Sequence, residues 1–554
     1  LSGDTNPSAT STELTSSRWG AFGHAAFTAI WTGSVIANVG TALYDTGSRW
    51  LMTSLDADPM AVSLVQVAVS LPIFLFTLPA GALADIVNPR RLLIVVELAN
   101  TAMTMLLATL VWSGHATVAS LLLVTFFLAI GGALVAPAWM AITPLLVNRG
   151  ELEGAIAANG VGYNITRAVG PVAGGFIIAG FGMAAPFFIC AASNLAAIAA
   201  LLWWRAPQKS AESLPAERLV SAMRTGIRHA ANNRHLRATL VRAFAFFPFA
   251  SAYWALLPLV ARNQADQGPE LYGILLGAIG AGAIAGSFVL GWLRASLGPD
   301  RLVAFGTLAT SFALLLFGFA HNSATIVCAC LIAGASWTLI LTSLNVSAQL
   351  ALPDWVRGRG LAILLTIIFG AMTVGSAAWG QIASMAGLSI AHYAAAAGAA
   401  LAIPLTWRWR LQTAIGIDLT PAMHWRTPFA SHKIENNEGP VRVAVEYRID
   451  LRDRDAFVEC LYQLAHERKR DGGFAWGLYE DTIDAGRFVE TFLIESWLEL
   501  MHQHERVTNA DRLFEEHIRR LLNRDPHITH LIACERGHRL RATRKTRRLA
   551  ERYA

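Results

Sequence analysis

Apolar runs long enough to cross a bilayer follow one another through most of this chain. They are centred on 27–52, 60–84, 92–113, 118–144, 156–180, 184–204, 240–260, 272–292, 302–319, 324–348, 360–384 and 389–407. A stretch of about 20 apolar residues spans hydrocarbon only as a helix, because each unpaired backbone amide there costs several kcal/mol. The sequence therefore predicts an all-α membrane bundle of twelve transmembrane helices, antiparallel to their neighbours because the breaks are short. Charged residues make up only 15% of the 554 residues, against roughly 25% in a soluble domain, and the deficit ends near residue 409.

Arg and Lys orient the bundle. One set of breaks holds Arg90 and Arg91, Arg149, then Arg205, Lys209, Arg218, Arg224, Arg228, Arg234 and Arg237, then Arg294 and Arg301, then Arg357 and Arg359. The opposite set holds Asp56, Asp58, His115, Gly182, His321 and Gly387, with Arg262 the exception. Basic loops stay in the cytoplasm, so both termini and the central connection are expected there, in a bacterial inner membrane. The net charge of +6 thus reports orientation, and no nucleic-acid partner is expected. Residues 1–20 are Ser/Thr-rich and show no basic segment followed by an apolar core, so no cleavable signal peptide is visible. Cys190, Cys328, Cys330, Cys460 and Cys534 lack paired metal-ligand spacing, and neither metal nor cofactor is expected.

The longest break divides the spans into two six-helix halves with the same punctuation. Gly81-Ala-Leu-Ala-Asp85 leads to Arg91 after the second span, as Gly291-Trp-Leu leads to Arg301 after the eighth. Pro144-Leu-Leu-Val-Asn-Arg149 follows the fourth span and Leu352-Pro-Asp-Trp-Val-Arg357 the tenth. Repeated halves around a midplane site are the architecture of alternating-access carriers. The expected domains are a disordered tail 1–20, a first half 21–206, a cytoplasmic central loop 207–238 and a second half 239–410. A linker 411–439, a small α+β domain 440–536 and a basic tail 537–554 complete the chain.

Gly81-Ala-Leu-Ala-Asp85-Ile-Val-Asn-Pro-Arg90-Arg91 resembles the loop signature of the major facilitator superfamily, with Asn88-Pro89 where Gly-Arg is usual. The resemblance implies a gating loop in which Gly81 lets two helix ends approach while Asp85, Arg90 and Arg91 form a charge latch. Gly162-Tyr-Asn164-Ile-Thr-Arg167-Ala-Val-Gly170-Pro171-Val-Ala-Gly174-Gly175 looks like the exporter-associated motif of that superfamily. There Pro171 removes a backbone donor and kinks the helix, and Gly170, Gly174 and Gly175 permit close packing. Leu78-Pro-Ala-Gly-Ala-Leu-Ala-Asp85, Ala136-Pro137-Ala-Trp139 and Trp254-Ala-Leu-Leu-Pro258-Leu resemble the enterobactin-exporter-like branch, the transmembrane secretion effectors. This resemblance runs over about residues 20–410. It implies proton-coupled efflux of a small amphiphilic compound, siderophore- or drug-like, with substrate, protons and membrane lipid as partners.

Ionisable groups inside spans are candidates for function because burying them is costly. Asp45 and Arg49 stand four apart on one helix face and could pair there, as a proton- or substrate-responsive site or as a static pair, or Arg49 could snorkel to the outer interface. Arg167 lies too deep in the fifth span to reach the cytoplasm easily, so it needs a carboxylate, carbonyls or an anionic substrate. Glu97, six residues past Arg91, is either a transport residue or an acid solvated or locally paired near the inner interface. Asn100, Asn159, Asn164, Asn194, Asn345, Gln349 and Gln381 either line a cavity or bond between helices. Trp31, Trp50, Trp139, Trp254, Trp337 and Trp379 divide between a binding surface and interfacial anchors. No Gly-x-x-x-x-Gly-Lys-Ser/Thr loop is present, which argues against an ATP-driven pump.

After the linker, Val441–Ile449 alternates apolar and polar residues, a half-buried strand. A helix over about 454–470, strands at Phe474–Glu480 and Phe488–Glu495, and a helix capped by Ser496 with Glu499 follow. A further helix over about 509–523 and a strand at Ile528–Cys534 complete a β-α-β-β-α-β order, which predicts a cytoplasmic ferredoxin-like domain. Val489-Glu-Thr-Phe-Leu-Ile-Glu-Ser-Trp497 and His502-Gln-His504-Glu-Arg506 look like the dimeric barrels of the antibiotic-biosynthesis monooxygenase group. That likeness implies a homodimer through this domain. Trp476, His502 and His504 invite haem binding or oxidation chemistry, but His at i and i+2 point to different sides of a helix. The reading is therefore a binding or dimerisation module with no catalytic residues. A tail that modifies the substrate, or a membrane sensor without flux, are the rival readings.

Overall fold

The computed structural model describes residues 20–205, 219–264, 268–412, 438–506, 509–535 and 538–539; the side chains at 82, 84–86, 149, 219–225, 264, 354, 504–506, 510, 511, 513, 534, 535, 538 and 539 also fall outside that description. The expected tails 1–20 and 537–554 and the linker 411–439 lie almost wholly outside it.

The first half consists of α1 (Ala25–Leu55), α2 (Pro59–Ile86), α3 (Pro89–Trp112), α4 (Val118–Ile142), α5 (Leu152–Phe181) and α6 (Ala185–Trp203). Local chemistry sets the ends. Pro opens α2 and α3, where its missing N–H is not needed. Asn88 accepts the Arg91 amide to cap α3, and Thr117 with Ser120 forms a reciprocal capping box on α4. Helix α5 runs unbroken through Pro171 and ends at Gly182, whose φ of +86° favours glycine.

The next six helices are α7 (Leu219–Asn232), α8 (Arg234–Leu259), α9 (Pro269–Phe319), α10 (Ser323–Leu350), α11 (Asp354–Ala386) and α12 (Leu388–Thr406). Helix α9 is interrupted at Gly298, whose φ of +73° is left-handed, with Pro299 next. Among the described residues, ten helices are long and apolar enough to cross a membrane. Helix α5 has the length, at 30 residues, but Asn159, Asn164 and Arg167 hold its hydropathy down, and α9 counts once despite its break.

The central connection 207–238 is not simply a loop, as the sequence reading had it. Leu219–Asn232 is helical, and α8 begins at Arg234. Apolar residues at 219, 220, 223, 227, 230 and 231 give α7 one apolar stripe among basic residues, the pattern of a surface helix rather than a span. His229 is buried edge-on against Trp355 at 5.4 Å. Asn233 caps α8 and also donates to the Ala351 carbonyl at 2.7 Å, tying the start of α8 to the end of α10.

The C-terminal part has its own core. Its elements are β1 (Val441–Arg448), α13 (Arg454–Arg470), β2 (Phe474–Glu480), β3 (Arg487–Ile494), α14 (Trp497–Arg506), α15 (Asn509–Arg519) and β4 (His527–Ile532). The sheet is antiparallel in the order β2-β3-β1-β4, with Val441 opposite both Ile494 and Ile532. Val441, Val443, Val445 and Tyr447 alternate inward onto Phe457, Leu461 and Leu464 of α13. Arg228 of α7 lies 3.8 Å from Glu499 of α14, so α7 stands between this sheet domain and the bundle.

Candidate functional site

A cavity of about 630 Å³ opens inside the first half, and all its lining residues fall between Trp31 and Asn194. That volume suits a drug-sized molecule. Helix α1 supplies Asp45, twenty residues in, about 30 Å along the axis from its first residue. Asp45 is solvent-accessible there although it lies deep in the bundle. Glu97 of α3 lines the same space and is only 8% exposed. The acid read as standing near the inner interface is thus a cavity residue, because its helix turns that face inward.

Helix rotation sorts the remaining candidates. Asn100, Asn159 and Asn194 line the cavity, as do Trp31 and Trp139. Asn164 and Asn345 instead donate to carbonyls four residues back on their own helices. Trp50 stacks on Tyr272, Trp254 packs edge-on against Trp337, and Trp379 donates to the Pro248 carbonyl. The sequence reading missed Tyr44, which shares a hydrogen bond of 2.9 Å with Thr125 at the cavity wall. A tyrosine immediately before an embedded acid was the available signal.

Asp45 and Arg49 do not form an ion pair among the described residues. Arg49 Nη1 donates to the Trp254 carbonyl of α8 at 2.9 Å, and its guanidinium lies 5.9 Å from that indole's centre. Arg262, just past the end of α8, returns the contact by donating to the Thr53 carbonyl of α1. Each half therefore sends one arginine to the backbone of the other. Arg167 is half-buried in the neighbouring α5–α9 seam, its carbonyl close to Gly280.

Small residues close that seam. A Cβ on Gly175 would stand 2.5 Å from the Pro269 carbonyl oxygen and 3.0 Å from the Gly273 Cα. Gly170 and Gly174 turn the other way, one onto Ala42 and the other onto Thr46 of α1. Helices α2 and α11 meet through Ser384 on Asp58 at 2.7 Å and Thr373 on Ser70 at 2.8 Å. These named contacts between halves lie toward the end opposite the basic breaks.

At the basic end the expected gating loop is arranged differently. Arg90 donates through Nε and Nη2 to the carbonyls of Leu201 and Leu202 at the end of α6, at 2.7 and 3.0 Å. A Cβ on Gly81 would meet nothing within 4 Å, because the named α2–α11 contacts lie further along the helices, from Asp58–Ser384 to Phe74–Gly370. The side chain of Asp85 lies outside the described residues. The second half repeats the device: buried Arg242 bonds the Trp409 carbonyl beyond α12 at 2.7 Å and pairs with Asp300 at 3.0 Å. In both halves an arginine near the basic end thus holds the close of the last bundle helix, α6 or α12.

In the sheet domain, Glu490 is fully buried and accepts hydrogen bonds from Tyr447 and Trp476, both at 2.8 Å. Arg468 lies 3.5 Å from Glu490 and 3.4 Å from Glu515. Burial first, and the Glu490 charge second, push the Tyr447 phenol well above its ordinary range. Trp476 is therefore a member of a satisfied internal network. No cluster of three His, Cys, Asp or Glu side chains able to hold a metal occurs among the described residues.

A cavity inside a repeated helical bundle, closed at one end by cross-half contacts, defines a membrane carrier. The chain matches the family described as transmembrane secretion effector over residues 16–538, and it belongs to that family of major facilitator transporters. The match runs through the sheet domain as well as the bundle. The chain is 25% identical over 417 residues to the multidrug efflux pump Tap of Mycobacterium tuberculosis, covering 72% of this chain and 96% of Tap. It is 29% identical over 197 residues to the enterobactin exporter EntS of Escherichia coli, covering 35% of this chain and 44% of EntS. The fold is shared with the nucleoside transporter NupG at a TM-score of 0.59 and 10% identity, over 69% of this chain and 99% of NupG.

Proposed function

We propose that this transporter exports small amphiphilic compounds, drug- or siderophore-like, by alternating access coupled to protons. The observation that carries this reading is the cavity of about 630 Å³, into which the accessible carboxylate of Asp45 projects. Two arginine contacts and two helix seams between the halves lie at the opposite end from the basic breaks. With basic breaks cytoplasmic, as the positive-inside rule has it, both termini are inside and the cavity belongs to an inward-open state. The bundle is read as twelve spans, α9 supplying two across Gly298 and α5 supplying one.

Asp45 is the first candidate for proton coupling, with Arg49 and Arg167 acting on the gate between halves. Asp45→Asn is expected to abolish pH-driven export. PH-driven export that survives in that variant contradicts the coupling assignment.

The tail is read as a ferredoxin-like domain of the dimeric-barrel kind, supported by its antiparallel β2-β3-β1-β4 order. Its outer sheet face carries Val489, Thr491 and Leu493 half-exposed and Leu531 exposed, a surface suited to a second copy of the domain. Size measurement of the full chain in nanodiscs tests this: a dimer lost on Leu493→Glu supports it, and a monomer before mutation refutes it.

A further inference from the structure

We propose that the cavity of the first half recognises a positively charged amphiphile, and that Asp45 and Glu97 select for that charge. This rests on the exporter reading and names the chemistry of the exported compound. Among the described lining residues Asp45 and Glu97 are the carboxyl side chains, and no Arg, Lys or His lines the space. Arg49, the cation nearest to Asp45 in sequence, is held by the Trp254 carbonyl in the other half.

Glu97 supplies the independent sign of a ligand. It is 8% exposed, lines the cavity, and its carboxylate has no hydrogen bond or ion pair among the described residues. A buried carboxylate without a partner is costly, and a bound cation removes that cost. Trp31, Trp139 and Tyr163 add aromatic faces to the wall, which attract cations and cover an apolar body. Trp31 is anchored by its Nε1 to the Ala158 carbonyl at 3.0 Å, so that face is fixed before a ligand arrives. An anionic compound of the same size would meet two carboxylates with no base to offset them.

The test uses the full chain in lipid nanodiscs and three probes of similar size and shape: tetraphenylphosphonium, uncharged triphenylphosphine oxide and tetraphenylborate. Equilibrium dialysis against empty nanodiscs removes the contribution of lipid partition. Saturable binding of the phosphonium at least about tenfold tighter than of the oxide is expected, with none for the borate. Asp45→Asn and Glu97→Gln are each expected to weaken phosphonium binding about tenfold and to leave oxide binding unchanged. Equal binding of phosphonium and oxide, a preference for borate, or no saturable binding of any probe overturns the proposal. The probe series decides on the unmodified chain even where a variant does not fold. Failure of the exporter reading is a separate result: the charge order would hold in binding while no compound moved across vesicles.

Discussion

Arg49 Nη1 and the carbonyl oxygen of Trp254 lie 2.9 Å apart, joining the first span of one half to the first span of the other. Arg262 makes the reciprocal bond to Thr53. A guanidinium inside a span needs acceptors, and backbone carbonyls of the opposing half supply them only while the halves are together at that end. Both bonds are therefore elements of one conformational state rather than of the bundle as such.

Losing either bond is expected to weaken that closed end. A hydrogen bond from a charged donor is worth about 1.5–3 kcal/mol, so Arg49→Gln or Arg262→Gln should shift the equilibrium between states by about tenfold or more. Spin labels at His115→Cys and His321→Cys, in a background cleared of native cysteines, report the separation of the halves. A longer distance population in both variants is expected, and unchanged distances would remove the arginines from the gate.

The α5–α9 seam should be less forgiving. The atoms nearest a Cβ on Gly175 are backbone atoms of Pro269 and Gly273, which cannot rotate aside. Gly175→Leu is expected to insert normally and to lose transport, with the label distance held long. Gly180→Leu is the control, since nothing lies within 4 Å of its Cβ position. Equal transport by the two variants would show that the seam does not need to close.

In the sheet domain, removing one partner of a buried charge network leaves the others uncompensated. Glu490→Ala is expected to destabilise the domain by about 3–5 kcal/mol, and Tyr447→Phe by about 1–2 kcal/mol. Hydrogen exchange of β1 and β3 in the full chain measures both. Similar protection in wild type and Glu490→Ala would mean that Arg468 is satisfied without Glu490.

Most of the fold was legible because hydrocarbon imposes length and apolarity on every span, and a half-buried sheet imposes alternation. β2 is at Phe474–Glu480 and α13 at 454–470, as alternation and period indicated. Helix α7 was not legible as a helix because Arg224, Arg228, His229 and their neighbours read as a basic loop, although its apolar stripe was there to count. The site was legible only by residue type. Asp45 stood out as an embedded acid, but whether Asn159 or Asn164 faces the cavity depends on helix rotation, which packing decides. That Arg49 bonds to the Trp254 carbonyl was not legible, because spacing along one helix cannot reveal an acceptor on another.

Acid should act on the turn after β2. Asp481 accepts from the amides of Ile483 and Asp484 and from Arg487, and the two amides first hold its carboxyl down to about 2. A depressed carboxyl pKa contributes stability above its unfolded value, near 4, that is lost as pH falls through about 2. Asp481→Asn should therefore lower protection of this turn at neutral pH, and the difference from wild type should vanish near pH 2. Hydrogen exchange across that range checks the sign. A difference that grows on acidification would contradict it.

The central claim is export through the first-half cavity driven by protons, and flux in proteoliposomes under an imposed pH gradient tests it most directly. Gradient-dependent movement of at least one compound from a panel of amphiphilic drugs and siderophores, lost in Asp45→Asn, is the expected result. Folded, inserted protein that moves none of them, or that moves them equally with the gradient collapsed, would contradict it.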